Sequence, residues 1–374
     1  MNTLSTADGG PARNSFELNM ALNRDARVRA QLLWITGEHA GSVMSSHRGP
    51  HADVYPRQAL NKESESRAHL FRDLRTADAI IVHGYYLWWV LPAVVLGRWR
   101  KVPVFLMPHG SLTAYQRQFS RLKKFIFECT SGWLIRRWVT TFVVGSSREA
   151  DELREFVRKS PVIVSGVGTS VVPVARDRGW QYPPQLLMLG RIAAKKRVDL
   201  SIQALAWLIQ NGHQAELTVA GAGPAQLRSE LSHLASDLGV GERVAFVGEV
   251  VGAEKTELLE RADIFLLPSD DENFGIAAAE ALASGLPVVG SDAVAAIEGL
   301  PEIAGARLSQ PDGSSLGSHL KRILDTDPRA TREAAAAFAA SRFSWEVVAA
   351  RWIDAIAAEI CSDVESRAER DADK

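Results

Sequence analysis

The chain has 374 residues, more than one ordinary hydrophobic core fills and enough for two domains of about 150–200 residues each. Its 43 Lys and Arg nearly cancel 44 Asp and Glu, so no global field recruits acidic polymers, and nucleic-acid binding is not expected. The two distant cysteines, Cys129 and Cys361, argue against a disulfide scaffold or a zinc cluster and fit a reducing, cytoplasmic setting.

Met1 to Ala12 reads as a polar loop carrying Gly9 and Gly10, Asn14 to Asn23 as a helix, and Ala30 to Thr36 as a short buried strand. No basic segment followed by an apolar run opens the chain, so no secretory signal is expected. Gly37 to Ser66 is polar and aperiodic, a loop whose His39, His47 and His51 fit no standard metal spacing. Asp78 to His83 and Val102 to Met107 read as strands, the first ending in His83-Gly84 and the second in Pro108-His109-Gly110. Both histidines stand at carboxyl ends of strands, where open α/β sheets place ligands. A His that merely satisfies backbone at a turn is the alternative for each. Tyr85 to Gly97 is apolar for about 13 residues and contains Pro92, short of the roughly 20 that a membrane span needs, and reads as a buried or interfacial helix. Gln116 to Trp138 combines Phe119, Leu122, Phe125 and Trp133 with many Lys and Arg, a pair of basic, aromatic helices. Two readings stay open there: contact with an anionic membrane surface, or an ordinary helical layer with a solvated basic face. Thr140 to Ser147 is a further strand, and Ser146 and Ser147 can cap the helix after it.

Val162 to Gly168 is a strand and Gly turn that ends a first domain, 1–168, and the Pro- and Gly-containing segment 169–184 is a linker. The second domain, 185–342, alternates strands and helices: Leu186–Leu189, Val198–Ile209, Glu216–Ala220, Arg243–Val247, Glu254–Arg261, Ile264–Leu267 and Ile276–Ala283. Such alternation specifies a parallel sheet with helices on both faces. An amphipathic helix, 343–362, presents Trp345, Val348, Trp352 and Ile356 on one face, and the charged tail 363–374 is expected to fray. Asp325-Thr326-Asp327 has a spacing used by metal sites but ends a helix before Pro328, so no metal is expected there. Arg191 and Lys196 lie on one loop, GRIAAKKR, where two fixed positive charges can clamp a diphosphate. Glu272 and Glu280 bracket the start of the Ile276 helix and can reach one small ligand.

The stretch PSDDENFGIAAAEALASGLPVV, Pro268 to Val289, resembles the donor-sugar motif of the retaining family 4 glycosyltransferases, the glycosyl transferases group 1 of polysaccharide-biosynthesis type. GRIAAKK, AGAGP and the HG of His109 resemble that family's other motifs, in the same order. The resemblance implies a GT-B fold, two Rossmann-like domains facing across a cleft, with the last helix crossing back onto the first domain. It implies a hexosyltransferase that uses a nucleotide diphosphate sugar, needs no further cofactor, and glycosylates a hydroxyl of a glycan or lipid-linked acceptor, at the inner face of the membrane if the basic helices bind it. A nucleotide-sugar epimerase or hydrolase, or an inactive sugar-nucleotide-binding homologue, are the alternatives. Carried over, His109 would contact donor sugar and reaction centre, Arg191 and Lys196 the diphosphate, Glu280 the ribose, and Glu272 with the backbone of Asn273, Phe274, Gly275 and Ile276 the sugar hydroxyls. Gly190, Gly221, Gly248 and Glu249 would complete the donor site. With no nucleophile evident in the first domain, the reaction is expected to be a front-face substitution with retention. The chain departs from the family in three places. Arg197 stands where a Gly usually follows the Lys, and Val164-Ser165 where Pro-Asn is usual. The strand that normally precedes the Gly-Gly loop is missing, so either the true start lies upstream of Met1, the preferred reading, or the first sheet lacks a strand.

Overall fold

The computed structural model describes residues 10–30, 32, 76–157, 160–169 and 178–372. The strand expected over Ala30 to Thr36 falls almost wholly outside them, as do His39, His47 and His51. The chain divides into two units, one formed by 1–168 with 345–374 and the other by 169–344.

Unit 1 contains α1 (Gly10–Leu22), β1 (Ile80–His83), α2 (Val90–Arg100), β2 (Val104–Met107), α3 (Ala114–Arg117), α4 (Arg121–Phe127), α5 (Trp133–Trp138), β3 (Thr141–Val144), α6 (Ser147–Val157) and β4 (Val162–Val164). Its described strands form one parallel sheet in the order β1-β2-β3-β4. Both faces are covered, so β2 and β3 are continuous apolar runs. Val104, Leu106, Phe142 and Val144 point into a core with Val90, Val94, Ile135 and Leu153, while Phe105, Met107 and Val143 meet Leu18 and Leu22 of α1 on the other face. The helix expected over Tyr85 to Gly97 starts five residues later, which puts Pro92 in the first turn, where its missing N–H costs no hydrogen bond. Between α4 and α5 the helix widens into a π turn, Glu128–Gly132.

Unit 2 contains β5 (Gln185–Leu189), α7 (Val198–Gln210), β6 (Glu216–Ala220), α8 (Ala225–Asp237), β7 (Val244–Gly248), α9 (Ala253–Arg261), β8 (Ile264–Leu267), α10 (Ile276–Ala283), β9 (Val288–Ser291), β10 (Gly305–Leu308), α11 (Gly313–Leu324) and α12 (Pro328–Phe343). The six strands are parallel in the order β10-β9-β8-β5-β6-β7. Chain order therefore reverses between β5 and β8, the switch point outside which doubly wound sheets bind ligands. Asp325 ends α11 in an ion pair with Lys321, and Asp327 caps α12 by accepting the N–H groups of Arg329 and Ala330. Both aspartates are thus engaged in helix ends.

The last helix, α13 (Trp345–Ala372), belongs to unit 1. Trp345, Val348 and Trp352 are buried against Phe105, Met107 and Leu18, and Trp345 Nε1 donates to Glu17 at 2.7 Å. Phe343 belongs to the preceding helix, and the charged tail expected to fray continues α13 to Ala372. Its Glu, Arg and Ala favour helix enough to prolong one already anchored.

At the amino ends of β5 and β8, Asp263 is fully buried and takes Arg178 and Arg332 at 2.8 Å each, while its second oxygen accepts the N–H of Gln185 at 2.9 Å. Burial lowers the pKa of Arg332 to about 10. Asp263→Ala leaves two guanidiniums without their carboxylate, and we expect a loss of about 3–5 kcal/mol in denaturant unfolding. A loss under about 1 kcal/mol would show that the cluster does not hold this end of the sheet.

Candidate functional site

The loops that follow β5 and β8 lie side by side at the switch point and are tied together. The backbone N–H of Asp270 donates to the Lys195 carbonyl at 2.8 Å. Around that bond, Lys195 pairs with Asp271 at 2.8 Å, Arg197 with Asp270 at 3.1 Å, and Lys196 with Glu272. The Lys196 and Glu272 side chains are only 16% and 17% exposed, so this pair is the most shielded of the three. Arg191 is exposed and has no ion pair among the described residues. Glu280, on the inner face of α10, is 9% exposed and meets Lys255 of α9 at 2.5 Å.

Backbone contacts make the neighbouring loops one layer. Gly190 N–H donates to Ala220, Ile192 N–H to Ala222 and Gly221 N–H to Gly248, all within 2.9 Å. A Cβ at Gly221 would lie 1.9 Å from the Gly190 carbonyl oxygen, and one at Gly223 2.6 Å from that of Ile192. These two glycines therefore serve contact between loops. Gly275 starts α10 with φ +92, and a Cβ there would meet Val294 at 2.6 Å. The Phe274 ring is buried against Phe343, so only its backbone can face a ligand. Glu249 is exposed beyond β7, and Asn273 is exposed at the mouth of the loop.

Arg197 stands in the left-handed region, φ +51, where glycine would be free of strain. Its guanidinium is held by Asp199 at 2.9 Å and by Asp270, and the Asp199 hydrogen bond above all raises its pKa. Its positive charge is thus committed to carboxylates of its own loop layer.

In unit 1, His83 Nδ1 and His109 Nε2 are 2.9 Å apart at the ends of β1 and β2. Such a bond needs a neutral ring as acceptor. Burial pulls His109 down to about 4, and burial with the neighbouring His109 holds His83 well below its ordinary range. His109 itself has φ +52. The turn that holds it is fixed by Glu149, a buried carboxylate of α6 that accepts the N–H of Gly110 at 2.7 Å and of Gly145 at 3.1 Å. Burial raises the pKa of Glu149.

Residues 177–335 match the family model for glycosyl transferases group 1. This part of the chain belongs to that family. The glycogen synthase of Mycobacterium tuberculosis is 30% identical over 281 residues, 72% of this chain and 66% of that enzyme, so the chain spans just under two thirds of that relative. The GDP-mannose-dependent alpha-(1-6)-phosphatidylinositol dimannoside mannosyltransferase of the same species is 34% identical over 185 residues, 48% of this chain and 46% of that protein. Among solved structures, Anabaena HepE in complex with UDP superimposes with TM-score 0.70 at 17% identity, covering 94% of this chain and 97% of that one. The fold is GT-B, built from two Rossmann-like units.

Two further residues of the sites, Lys255 and Glu149, carry no mark in the sequence. Lys255 sits in a charged helix, AEKTELLER, that reads as a solvated surface. Ser146 and Glu149 have capping-box spacing, and Ser146 Oγ does accept the Glu149 N–H, but the carboxylate reaches outward to the His109 turn. The histidines also give the fold a pH dependence. An unfolded His takes a proton near pH 6.5, while folded His109 resists it to about 4, so stability is full above 6.5 and falls as acid passes through that window. Replacing both His83 and His109 by Gln should flatten that decline in urea unfolding followed between these pH values; an unchanged slope would contradict the buried neutral pair.

Proposed function

We propose that the chain is a retaining hexosyltransferase that moves a hexose from a nucleotide diphosphate sugar to a hydroxyl of a glycan or lipid-linked acceptor. The observation that carries this reading is the meeting, at the switch point of unit 2, of a cationic loop (Arg191, Lys196) and a carboxylate loop and helix (Glu272, Glu280). In this reading Arg191 and Lys196 take the charge of the departing diphosphate, one as a fork and one as a point charge. Glu280 accepts the ribose hydroxyls, and Glu272 with the backbone of Asn273, Phe274, Gly275 and Ile276 holds those of the sugar. Gly190, Gly248 and Glu249 border the nucleotide. No metal or other cofactor enters the scheme, the two cations supplying the positive charge.

The bond between the anomeric carbon and the diphosphate oxygen breaks, and the acceptor oxygen bonds to the same face of that carbon. The acceptor's proton passes to the departing phosphate oxygen. A covalent glycosyl-enzyme is disfavoured because Glu272 is occupied by Lys196 and by hydroxyls. His109, neutral in the physiological range, keeps an imidazole N–H that can donate a hydrogen bond.

For the acceptor, the relative that glycosylates phosphatidylinositol dimannoside supports a lipid-linked hydroxyl. No helix among the described residues is long and apolar enough to cross a membrane. Contact would instead be peripheral, at the inner face of the membrane, through 116–138, where Leu122, Phe125 and Trp133 are 72%, 66% and 51% exposed among basic side chains.

Thermal unfolding against UDP-, GDP-, ADP- and TDP-sugars in EDTA tests the donor reading, since a ligand at a hundred times its dissociation constant adds about 2.7 kcal/mol. One base should stabilise the chain. Arg191→Ala with Lys196→Ala should abolish that shift and transfer while leaving the unliganded fold intact. Glu280→Gln should weaken binding by about 1.5–3 kcal/mol. Wild-type affinity in either variant would remove the corresponding assignment.

A further inference from the structure

Unit 1 holds a second charged cluster that the donor reading does not use. Tyr85 and Tyr86 follow directly on His83-Gly84 at the end of β1. The Tyr86 ring meets Phe127 edge-on at 5.2 Å and carries the Lys124 ammonium 5.0 Å from its centre. Arg117 and Arg136 both lie on the Phe156 ring, at 5.0 and 4.6 Å. Arg136 is paired with Glu128, whose Oε2 also accepts from Tyr85 Oη at 3.3 Å.

The charges do not balance. Among the described residues Glu128 is the one carboxylate paired with this group, and it serves Arg136; Arg117 and Lys124 have no acidic partner. Arg117 Nε is buried and makes no hydrogen bond. Burial lowers the pKa of Lys124, and burial raises that of Tyr86 although Arg117 and Arg136 pull the other way. Partly buried cations without counter-charges are costly unless an anion completes them. The π turn beneath them brings Glu128 against Gly132, where any Cβ would meet Glu128 Oε2, and such turns often mark functional sites. Leu122 and Phe125 stand exposed on the same helix as Lys124.

We propose that Arg117, Lys124 and Arg136 form a phosphate-binding subsite, and that its ligand is the phosphate of a lipid-linked acceptor whose chain runs along Leu122 and Phe125. Arg117 and Arg136 present planar donors suited to phosphate oxygens, and Lys124 adds a point charge. The aromatic rings fix the cations in place before the ligand arrives. The assignment rests on the acceptor reading above, and it narrows the acceptor to a molecule that carries phosphate next to hydrocarbon.

The test is calorimetric titration of the full chain with farnesyl diphosphate, inorganic pyrophosphate, and phosphatidylcholine vesicles with and without phosphatidylglycerol. Wild type should bind the prenyl diphosphate saturably and more tightly than pyrophosphate. Arg117→Gln with Lys124→Gln should weaken it by roughly tenfold or more, with nucleotide binding and thermal unfolding unchanged. Lys124→Gln alone, at a half-exposed position, should show part of the loss and serves if the double variant unfolds. Arg191→Ala with Lys196→Ala should leave prenyl diphosphate binding intact. Wild-type affinity in the Arg117 and Lys124 variants would overturn the proposal. So would loss of binding in the Arg191 and Lys196 variant, which would put the ligand in unit 2, or binding to phosphatidylglycerol vesicles alone. Nucleotide binding on the same samples reports separately on the transferase reading.

Discussion

The pairing of Lys196 with Glu272 is the contact on which the proposed donor site of unit 2 depends. Strands β5 and β8 are neighbours in the sheet although two βα units separate them in the chain, so their loops meet only because strand order reverses there. Each loop brings like charges that would repel if left alone: Lys195, Lys196 and Arg197 on one, Asp270, Asp271 and Glu272 on the other. Matched one to one, they close the two loops into a single surface, with the Asp270 to Lys195 backbone bond as its seam. Gly221 and Gly223 extend that surface to the loop after β6 by allowing backbone contact that any side chain would block.

This arrangement bears on the proposed chemistry. A diphosphate that reaches Lys196 has to share it with, or take it from, Glu272, and the carboxylate so released becomes an acceptor for hydroxyls. Donor binding would therefore exchange one shielded ion pair for two ligand contacts, which limits the net desolvation cost. Lys255 plays the matching part for Glu280, balancing a carboxylate that is almost buried before any ribose arrives. Arg191, exposed and without an ion pair among the described residues, is the charge most readily available to a phosphate.

Much of the fold was legible in the sequence because parallel strands covered on both faces are short apolar runs: VFLM, TFVV and IFLL could scarcely be anything else. The helix Ile276–Ala283 was equally plain, stopped by Gly285 in the left-handed conformation. Helices α8 and α12 leave little trace in the sequence, since their buried faces are mostly small or interrupted by polar residues. The length of α13 is not legible because its charged end has no apolar periodicity, while the helix it prolongs is already anchored. In the site, Arg191, Lys196, Glu272 and Glu280 could be singled out by motif, but their partners could not. Lys255 and Glu149 act across the tertiary fold, and no local spacing marks a side chain that reaches another loop. Arg197 extends the cationic run of its loop, and no local spacing shows that Asp199 and Asp270 hold its guanidinium.

The most direct test of the central claim is a crystal structure of the chain with a nucleotide diphosphate bound. The account requires the diphosphate on Arg191 and Lys196, the ribose hydroxyls on Glu280, and the Lys196 ammonium drawn from Glu272 toward phosphate oxygen. A nucleotide bound elsewhere in unit 2, with the Lys196 and Glu272 pair undisturbed, would contradict it.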